Sequence, residues 1–283
     1  MIKILHPGFF NTIQDKGRVG FAEFGVPISG AMDSFSADLA NHILNNSLEN
    51  ALLEITFGGC SLQFLENTII CISGADFLAM LNDTKVSLNT QVEIRKNDVL
   101  TFGKRIFGSY AYLAVTGGFQ SEIKLKSRSF FQNITNEHLL KKGDLLPISS
   151  INKEYSISNA SIKFSKHHFE SKEIYCYKGP EFEILTDFQQ KALFEKSFTI
   201  SKEINRIGYK LNEFIENNLP QILTSAVLPG TVQLAPSGKL IVLMRDCQVT
   251  GGYPRILQLS ENSINQFAQK TTNDTFRFSL LEN

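Results

Sequence analysis

The sequence lacks the features that mark several common functional classes. It contains no tryptophan, and its 28 basic and 28 acidic residues give a formal net charge of zero. A chain with balanced charge has no global electrostatic attraction for nucleic acid or for an anionic membrane. No apolar run approaches the roughly 20 residues that cross a bilayer, and the first residues do not resemble a secretory signal. We therefore expect a cytoplasmic protein with no nucleic-acid partner and no membrane partner.

Common nucleotide, metal and hydrolase motifs are also absent. The sequence has no G-x-x-x-x-G-K-[ST] loop, no G-x-G-x-x-G fingerprint, no G-x-S-x-G elbow and no H-E-x-x-H pair. The adjacent His167 and His168 lie in a polar stretch, where we expect them to be solvated, and no metal site is predicted. No methionine is followed by lysine, so any biotin must be carried by a separate chain.

The four cysteines are scattered along the chain and form no C-x-x-C pair. They are Cys60, Cys71, Cys176 and Cys247. This spacing fits neither a zinc knuckle nor a redox motif, and thiols without a dense disulfide framework suit a reducing compartment. We therefore predict buried thiols that behave as small apolar side chains.

Short apolar runs followed by glycine-containing turns dominate the sequence pattern. The clearest runs are 51–57, 68–73, 110–116 and 240–244, and each indicates a strand. Helical periodicity is limited to three segments. These are Asp33–Asn45 with Phe35, Leu39 and Ile43 inward, Thr186–Lys196 with Phe188, Ala192 and Leu193 inward, and Ser260–Lys270 with Ile264, Phe267 and Ala268 inward.

This pattern predicts a mostly-β protein with a few helices. A doubly wound α/β sheet is not expected, because regular helices do not separate the strands. A polar turn followed by a strand recurs at 96–102, 141–147 and 272–278, and such units often close a β-barrel. Two barrels of roughly 100–150 residues would account for the length. The polar stretch Ser149–Ser161 is the predicted linker, giving an N-terminal β-barrel region at 1–150 and a C-terminal one at 151–283.

The first candidate site is a polar, glycine-rich segment at residues 14–33. Its glycines permit positive φ and the close approach of another molecule. Asp15, Arg18 and Asp33 lie among them and could together bind a small polar ligand. In the alternative interpretation, Asp15 and Arg18 brace the loop as an ion pair, and Asp33 caps the helix that follows. The sequence leaves both interpretations open.

The second candidate site lies between residues 246 and 255. If a short strand continues through this segment, Asp246, Gln248 and Thr250 occupy alternating positions and face one side. Three polar side chains on one face would be costly in a core without partners, which favours a polar site. Gly251 and Gly252 follow and leave space beside them.

Nine short motifs follow one another along nearly the whole chain. They are T-x-Q-D-x-G-R-x-G (12–20), G-V-P-x-S-G-A-M-D (25–33), L-E-I-T-x-G-G (53–59), S-G-A-D (73–76), Y-L-A-V-x-G-G (112–118), S-R-S (127–129), R-x-G-Y (206–209), P-G-x-x-Q (229–233) and T-G-G-Y-P (250–254). In these motifs the chain resembles the biotin-dependent carboxyltransferase family, also called allophanate hydrolase subunit 2, whose members include the C subunit of bacterial ATP-dependent 5-oxoprolinase. The resemblance implies two cyclophilin-like β-barrels. Asn97 and Val249 depart from the family pattern, which has glycine and threonine there.

The motifs and the two candidate sites together predict the functional residues. The activities implied by the resemblance need a pocket that binds a planar amide, in which carboxylates accept from N–H while arginine or glutamine donates to oxygen. The predicted catalytic residues are Asp246, Arg18 and Asp15. The predicted substrate-binding residues are Asp33, Gln248, Thr250, Gly251, Gly252, Tyr253, Arg206 and Tyr209.

Three functions are compatible with the resemblance. In the first, the chain is the C subunit of an ATP-dependent 5-oxoprolinase: with a B-type subunit it builds the site that activates the lactam, and an A-type subunit finishes the hydrolysis to glutamate. In the second, it is a carboxyltransferase subunit that moves CO2 from carboxybiotin on a separate chain to urea or a related amide. In the third, it is a non-enzymatic partner of a kinase-inhibitor protein. The absence of biotin and ATP motifs favours the first, in which ATP is bound through the complex.

Overall fold

A computed structural model describes residues 1–149 and 166–281 of the chain. Contacts divide these residues into two units. The first comprises Met1–Arg18 and the described residues from Ser29 onward to Ser149, and the second comprises Val19–Ile28 and the described residues from Lys166 onward. The predicted boundary after residue 150, and all of the predicted linker except Ser149, lie outside the described residues. The placement of 19–28 in the second unit was not anticipated from the sequence.

Short strands and a single helix make up the first unit as far as the structure describes it. Its elements are β1 (Ile2–Pro7), β2 (Phe10–Gln14), α1 (Ser34–Ile43), β3 (Leu52–Thr56), β4 (Cys60–Phe64), β5 (Thr68–Asp76), β6 (Met80–Leu81), β7 (Thr84–Lys85), β8 (Val92–Ile94), β9 (Val99–Thr101), β10 (Phe107–Val115) and β11 (Leu145–Leu146). They form a six-stranded sheet in the order β11-β1-β4-β9-β6-β7 and a five-stranded sheet in the order β2-β3-β10-β5-β8. One apolar core draws on both sheets.

Two residues of the first unit have a positive φ that explains their residue type. Gly74 in β5 has φ +85°, and an added Cβ would lie 2.5 Å from the backbone oxygen of Tyr110 in β10. Asn97, which replaces the family's glycine, has φ +75°. Asparagine adopts this left-handed conformation more readily than most residues, so the departure preserves the turn.

The buried face of α1 differs from the predicted face. The helix packs on β5 and β10 through its small side chains, which include Ala37 and Ala40. Phe35 is 49% exposed, and Leu39 and Ile43 are only half-buried. The prediction that these three face inward was therefore wrong, because the small side chains let the helix approach the sheet closely on another face.

The second unit contains three helices and nine strands within its described residues. Its elements are α2 (His167–Glu170), β12 (Glu173–Lys178), α3 (Asp187–Glu195), β13 (Phe198–Ile204), β14 (Gly208–Phe214), β15 (Ser225–Ala226), β16 (Thr231–Leu234), β17 (Lys239–Leu243), β18 (Thr250–Gly251), β19 (Arg255–Leu259), α4 (Glu261–Ala268) and β20 (Thr275–Leu280), with single 3-10 turns at Ala22–Phe24 and Phe182–Ile184. Seven strands close a barrel in the order β12-β19-β16-β17-β14-β13-β20, and β15 pairs separately with β18.

A cluster of aromatic side chains is buried in this unit. The rings of Phe198, Phe276 and Phe278 pack against one another, and Phe267 of α4 lies 5.1 Å from Phe276. All four side chains are almost fully buried. Edge-to-face packing of this kind stabilises the fold beyond the burial of apolar area alone.

Two predicted helices of this unit are confirmed, with one side chain misplaced. The Thr186–Gln189 capping box forms at the start of α3, and α4 buries Ile264, Phe267 and Ala268 as predicted. Phe188, however, is 76% exposed rather than inward. It lies in the first turn of α3, on the side opposite to the buried Leu193.

The expectation for the histidine pair needs a correction. The two residues begin the short helix α2, which was not predicted, and His168 is buried rather than solvated. Its ring packs 5.1 Å from that of Phe169. Among the described residues, no group of three or more potential ligands could hold a metal ion.

The prediction of a mostly-β protein with a few helices is confirmed. The predicted strands correspond to β3, β5, β10 and β17. A closed barrel is present in the second unit, whereas the strands of the first unit form two sheets. No helix in the described part of the chain is long and apolar enough to cross a membrane.

All four cysteines are buried, as predicted, and none is in a disulfide. Burial disfavours the thiolate and raises the pKa of Cys60 and Cys176 to about 12. The same cause raises the pKa of Cys71 and Cys247 to about 12.

These thiols are expected to resist alkylation in the folded protein. At pH 8 a thiol with a pKa near 12 is almost entirely protonated, and the thiolate is the reactive form. Labelling with iodoacetamide followed by mass spectrometry should detect modification at the four positions only after a denaturant is added. Rapid labelling of any of them in the native protein would contradict this.

Candidate functional site

Four neighbouring strands of the barrel carry a transverse row of side chains. Arg255 on β19 pairs with Gln233 on β16, Gln233 pairs with Ile241 on β17, and Ile241 pairs with Lys210 on β14. Cross-strand partners point to the same face of a sheet. The residues on either side of Gln233 are apolar and fully buried in the barrel. The row therefore lies on the outer face of the barrel.

A cleft is lined by three residues of this row, Gln233, Ile241 and Lys210. It consists of two adjoining depressions of about 310 Å³ and about 360 Å³. Both are lined by Glu203, Lys210, Ile241 and Tyr253. The smaller one is also lined by Asn205, Ile207, Gly208, Gln233, Leu243 and Gln248. We refer to the two depressions together as the barrel cleft.

Gln233 is the most distinctive residue of the barrel cleft. It is 2% exposed, and its Nε2 has no hydrogen-bond partner among the described residues. A buried amide donor without a partner costs free energy. Such a group, lining a cleft, is a candidate for binding a ligand that accepts the missing hydrogen bond.

Gly251 makes room for the Gln233 carboxamide. An added Cβ at Gly251 would lie 2.6 Å from Gln233 Nε2 and 3.5 Å from Gln248 Nε2. Gly251 does not have a positive φ, so limited space, rather than an unusual backbone conformation, accounts for the glycine. The predicted role of Gly251 in a binding site stays a prediction.

The segment that carries Asp246 and Gln248 is a turn rather than a strand. Strand β17 ends at Leu243, and pairing resumes only at Thr250 in β18. The predicted alternation of three side chains on one face was therefore wrong. Gln248 is exposed and lines the barrel cleft, whereas Thr250 is exposed on the short β15–β18 ribbon opposite Ala226.

Asp246 is paired with Arg206 across 40 residues of sequence. Arg206 Nε donates to Oδ2 at 2.7 Å and Nη2 donates to Oδ1 at 2.9 Å, and the side chains are only 5% and 12% exposed. The backbone N–H of Asp246 also donates to the Arg206 oxygen at 2.8 Å. This bidentate ion pair joins the turn before β14 to the turn that carries Gln248. The two predicted site residues thus position the rim of the barrel cleft.

The remaining predicted residues of this unit have different surroundings. Tyr253 is half-buried and lines both depressions of the barrel cleft. The Gly252 oxygen accepts from Ile222 N at 3.1 Å, and Gly252 does not have a positive φ. Tyr209 is 1% exposed and donates from its hydroxyl to the Ala268 oxygen at 3.1 Å. Both its ring and its hydroxyl are buried, and its predicted contact with substrate stays a prediction.

In the first unit, Asp15 is the acceptor that organises the glycine-rich loop. Its carboxylate accepts from Ser127 Oγ at 2.6 Å, Ser129 Oγ at 2.7 Å and Gly17 N at 2.8 Å. Arg18 is 1% exposed and donates from Nη2 to the Ser129 oxygen. Both residues therefore hold the S-R-S motif against the loop, and their predicted catalytic role stays a prediction.

Asp33 is fully buried at the start of α1. Its carboxylate accepts from Ser36 N at 3.1 Å and from Ser36 Oγ at 2.6 Å, which is the capping interaction of the structural alternative. Its backbone N–H donates to Tyr112 Oη at 2.7 Å, and that hydroxyl lies 3.0 Å from Glu54. Burial, followed by the nearby carboxylates, raises the pKa of Tyr112. These contacts are those of the capping interpretation, and the predicted contact of Asp33 with substrate stays a prediction.

The comparisons with known proteins agree with this architecture. The family described as carboxyltransferase domain, subdomain A and B, matches residues 24–280. The chain belongs to this family. The 5-oxoprolinase C subunit of Escherichia coli K12 is 32% identical over 275 residues, covering 95% of this chain and 87% of that protein. The 5-oxoprolinase C subunit of Haemophilus influenzae is 30% identical, covering 99% of this chain and 91% of that protein.

Larger members of the carboxyltransferase family share the fold. The crystal structure of the Kluyveromyces lactis urea amidolyase is similar with a TM-score of 0.88 and 26% identity, covering 99% of this chain and 19% of that one. The K. lactis urea carboxylase structure gives the same TM-score and identity, covering 27% of its own length. This chain therefore spans about a fifth to a quarter of those two proteins.

Sequence reasoning missed Gln233 as a site residue of this carboxyltransferase-family chain. Gln233 ends the P-G-x-x-Q motif, and in strand β16 it lies between the apolar residues Val232 and Leu234. That polarity was the available signal. Lys210 and Glu203 were also missed, because only the register between β13, β14 and β17 brings them to the cleft.

Proposed function

We propose that this chain is the C subunit of an ATP-dependent 5-oxoprolinase, which opens the lactam of 5-oxoproline to give glutamate in the cytoplasm. The observation that carries the proposal is the similarity to two bacterial 5-oxoprolinase C subunits over 87% and 91% of their lengths. The direct partner is a B-type subunit, and an A-type subunit finishes the hydrolysis.

In this proposal the barrel cleft binds the amide group of the substrate. Gln233 Nε2 donates to the lactam oxygen, which replaces the missing hydrogen bond and polarises the carbonyl. ATP, bound through the complex, activates the same oxygen by phosphorylation. Asp246 acts through Arg206 to position the turn that carries Gln248, while Asp15 and Arg18 keep the glycine-rich loop in shape.

The purified chain by itself is expected to be folded and inactive. Within its described residues it offers no cluster of metal ligands, and its sequence has no recognised nucleotide loop. Coupled assays for glutamate and ADP should detect turnover of 5-oxoproline only when the A-type and B-type subunits are added. Turnover by the isolated chain, or a complete mixture that stays silent, would contradict the proposal.

The second candidate is a carboxyltransferase subunit that acts on urea or a related amide. The shared fold with urea amidolyase favours it, and urea offers the same paired N–H and C=O groups to Gln233. This candidate predicts carboxylation of urea when a biotin carboxylase and a biotinylated carrier chain are supplied. The same protein preparation assayed with 5-oxoproline and with urea separates the two candidates.

A further inference from the structure

The order of side chains along the transverse row indicates which part of a substrate each residue meets. Gln233 supplies an amide, Ile241 an apolar surface and Lys210 a cation, each on the next strand. Neighbouring strands lie about 4.8 Å apart, so the backbones of Gln233 and Lys210 are separated by roughly 10 Å. The row therefore places an amide and a cation on either side of an apolar position.

We propose that Gln233 binds the lactam edge of a cyclic amide and that Lys210 binds a carboxylate on the same molecule. This inference rests on the proposed function and names the residues that select its substrate. A lactam is a cis amide, so its N–H and C=O lie side by side on one edge. A glutamine carboxamide presents a donor and an acceptor in the same way, and the two groups can form a pair of hydrogen bonds.

The Gln233 carboxamide has an unused hydrogen-bond donor. Its buried Nε2 has no hydrogen-bond partner among the described residues, and the absence of a side chain at Gly251 gives the carboxamide its room. A ring carbon skeleton would cover Ile241, which is part of the lining of both depressions. Urea has neither ring carbons nor a carboxylate, so this row fits 5-oxoproline better.

The ion pair between Lys210 and Glu203 can be replaced by one between Lys210 and a ligand carboxylate. The side chains of Lys210 and Glu203 are 46% and 66% exposed. An ion pair between exposed side chains contributes little to stability. A substrate carboxylate can therefore replace Glu203 as the partner of Lys210 at small cost.

The first test measures KM and kcat for L-5-oxoproline in the reconstituted complex. Gln233→Met and Lys210→Met should each raise KM by about tenfold, because a hydrogen bond to the substrate or a charge-assisted contact is lost. The thermal midpoint of Gln233→Met should stay equal or rise, since methionine removes a buried donor that lacks a partner. Lys191→Met is the matched control: Lys191 also pairs with an exposed glutamate, on helix α3 away from the cleft, and its KM should not change.

The second test uses the isolated chain without any substitution and measures its response to small amides. In ¹H–¹⁵N spectra, the Gln233 side-chain amide should shift with 2-pyrrolidinone and with L-5-oxoproline, but not with N-methyl-2-pyrrolidinone, which lacks the N–H. The cyclic urea 2-imidazolidinone is added in a separate titration as a model of the ureido ring of biotin. A response to 2-imidazolidinone without a response to either lactam would overturn the lactam assignment.

The two tests separate failure of this inference from failure of the proposed function. If the complex hydrolyses 5-oxoproline and Gln233→Met keeps the wild-type KM, the inference is wrong and the function stands. If the complex is silent while the Gln233 amide responds to lactams, the function is wrong and the lactam site stands. An unchanged KM in Lys210→Met would overturn the carboxylate assignment alone.

Discussion

Gly251→Val is expected to lower the kcat/KM of the reconstituted complex strongly while the chain stays folded. The valine side chain would occupy the space 2.6 Å from Gln233 Nε2. The atom it meets is the end of a flexible side chain, which can move aside without displacing the backbone. Gly251 lies in strand β18 without a positive φ, and valine is well suited to a strand. The substitution therefore acts on the barrel cleft rather than on folding.

The expected loss is at least a hundredfold in kcat/KM, which corresponds to about 2.7 kcal/mol of transition-state stabilisation. Ala226→Val is the control, because Ala226 is exposed on β15 and pairs with the neighbour of Gly251 in the same ribbon. It should keep wild-type activity. If Gly251→Val also keeps wild-type activity, the barrel cleft is not the substrate site.

The neighbouring Gly252 differs from Gly251 in what a side chain would meet. Gly252 does not have a positive φ, so the backbone conformation itself would not strain a valine there. An added Cβ there would lie 3.2 Å from the Ile222 oxygen, which is a tight contact with backbone. Loss of stability is thus the larger expected effect at Gly252, and loss of ligand binding is the larger one at Gly251.

Asp246→Ala is expected to destabilise the chain strongly. It would leave the Arg206 guanidinium buried at 5% exposure without its carboxylate. Removing one partner of a buried ion pair typically costs about 3 kcal/mol or more. For a chain of this size, that corresponds to a thermal midpoint lower by roughly 6–12 °C. Thermal unfolding followed by circular dichroism would measure the shift.

Two companion variants show whether the pair itself is responsible. Replacing both partners, as in Asp246→Ala with Arg206→Met, should recover much of the loss, because no uncompensated charge remains buried. Glu183→Ala removes one partner of the exposed Lys178–Glu183 pair and should leave the midpoint nearly unchanged. A normal midpoint together with a tenfold loss of turnover in Asp246→Asn would instead support the catalytic role predicted from the sequence.

Local signals in the sequence determined much of the secondary structure. Asp33, Thr186 and Ser260 cap α1, α3 and α4 by accepting from the backbone N–H three positions on, and such a cap depends only on residues close in sequence. The apolar runs form strands, as predicted, because the strand signal also lies in residues that are close in sequence. Which helix face is buried was not determined locally: Phe35 and Phe188 are exposed because the neighbouring sheet accepts other side chains.

The sequence by itself determined the family, the mostly-β class and the motifs from which the candidate residues were chosen. Only the tertiary structure decided which of these residues share a site. Arg206 and Asp246 are 40 positions apart, and their pairing depends on how two turns meet. The transverse row of Gln233, Ile241 and Lys210 exists because of the register of β16, β17 and β14. Strand register joins distant segments, and a shift of one residue would turn each side chain to the other face, so no local pattern can specify it.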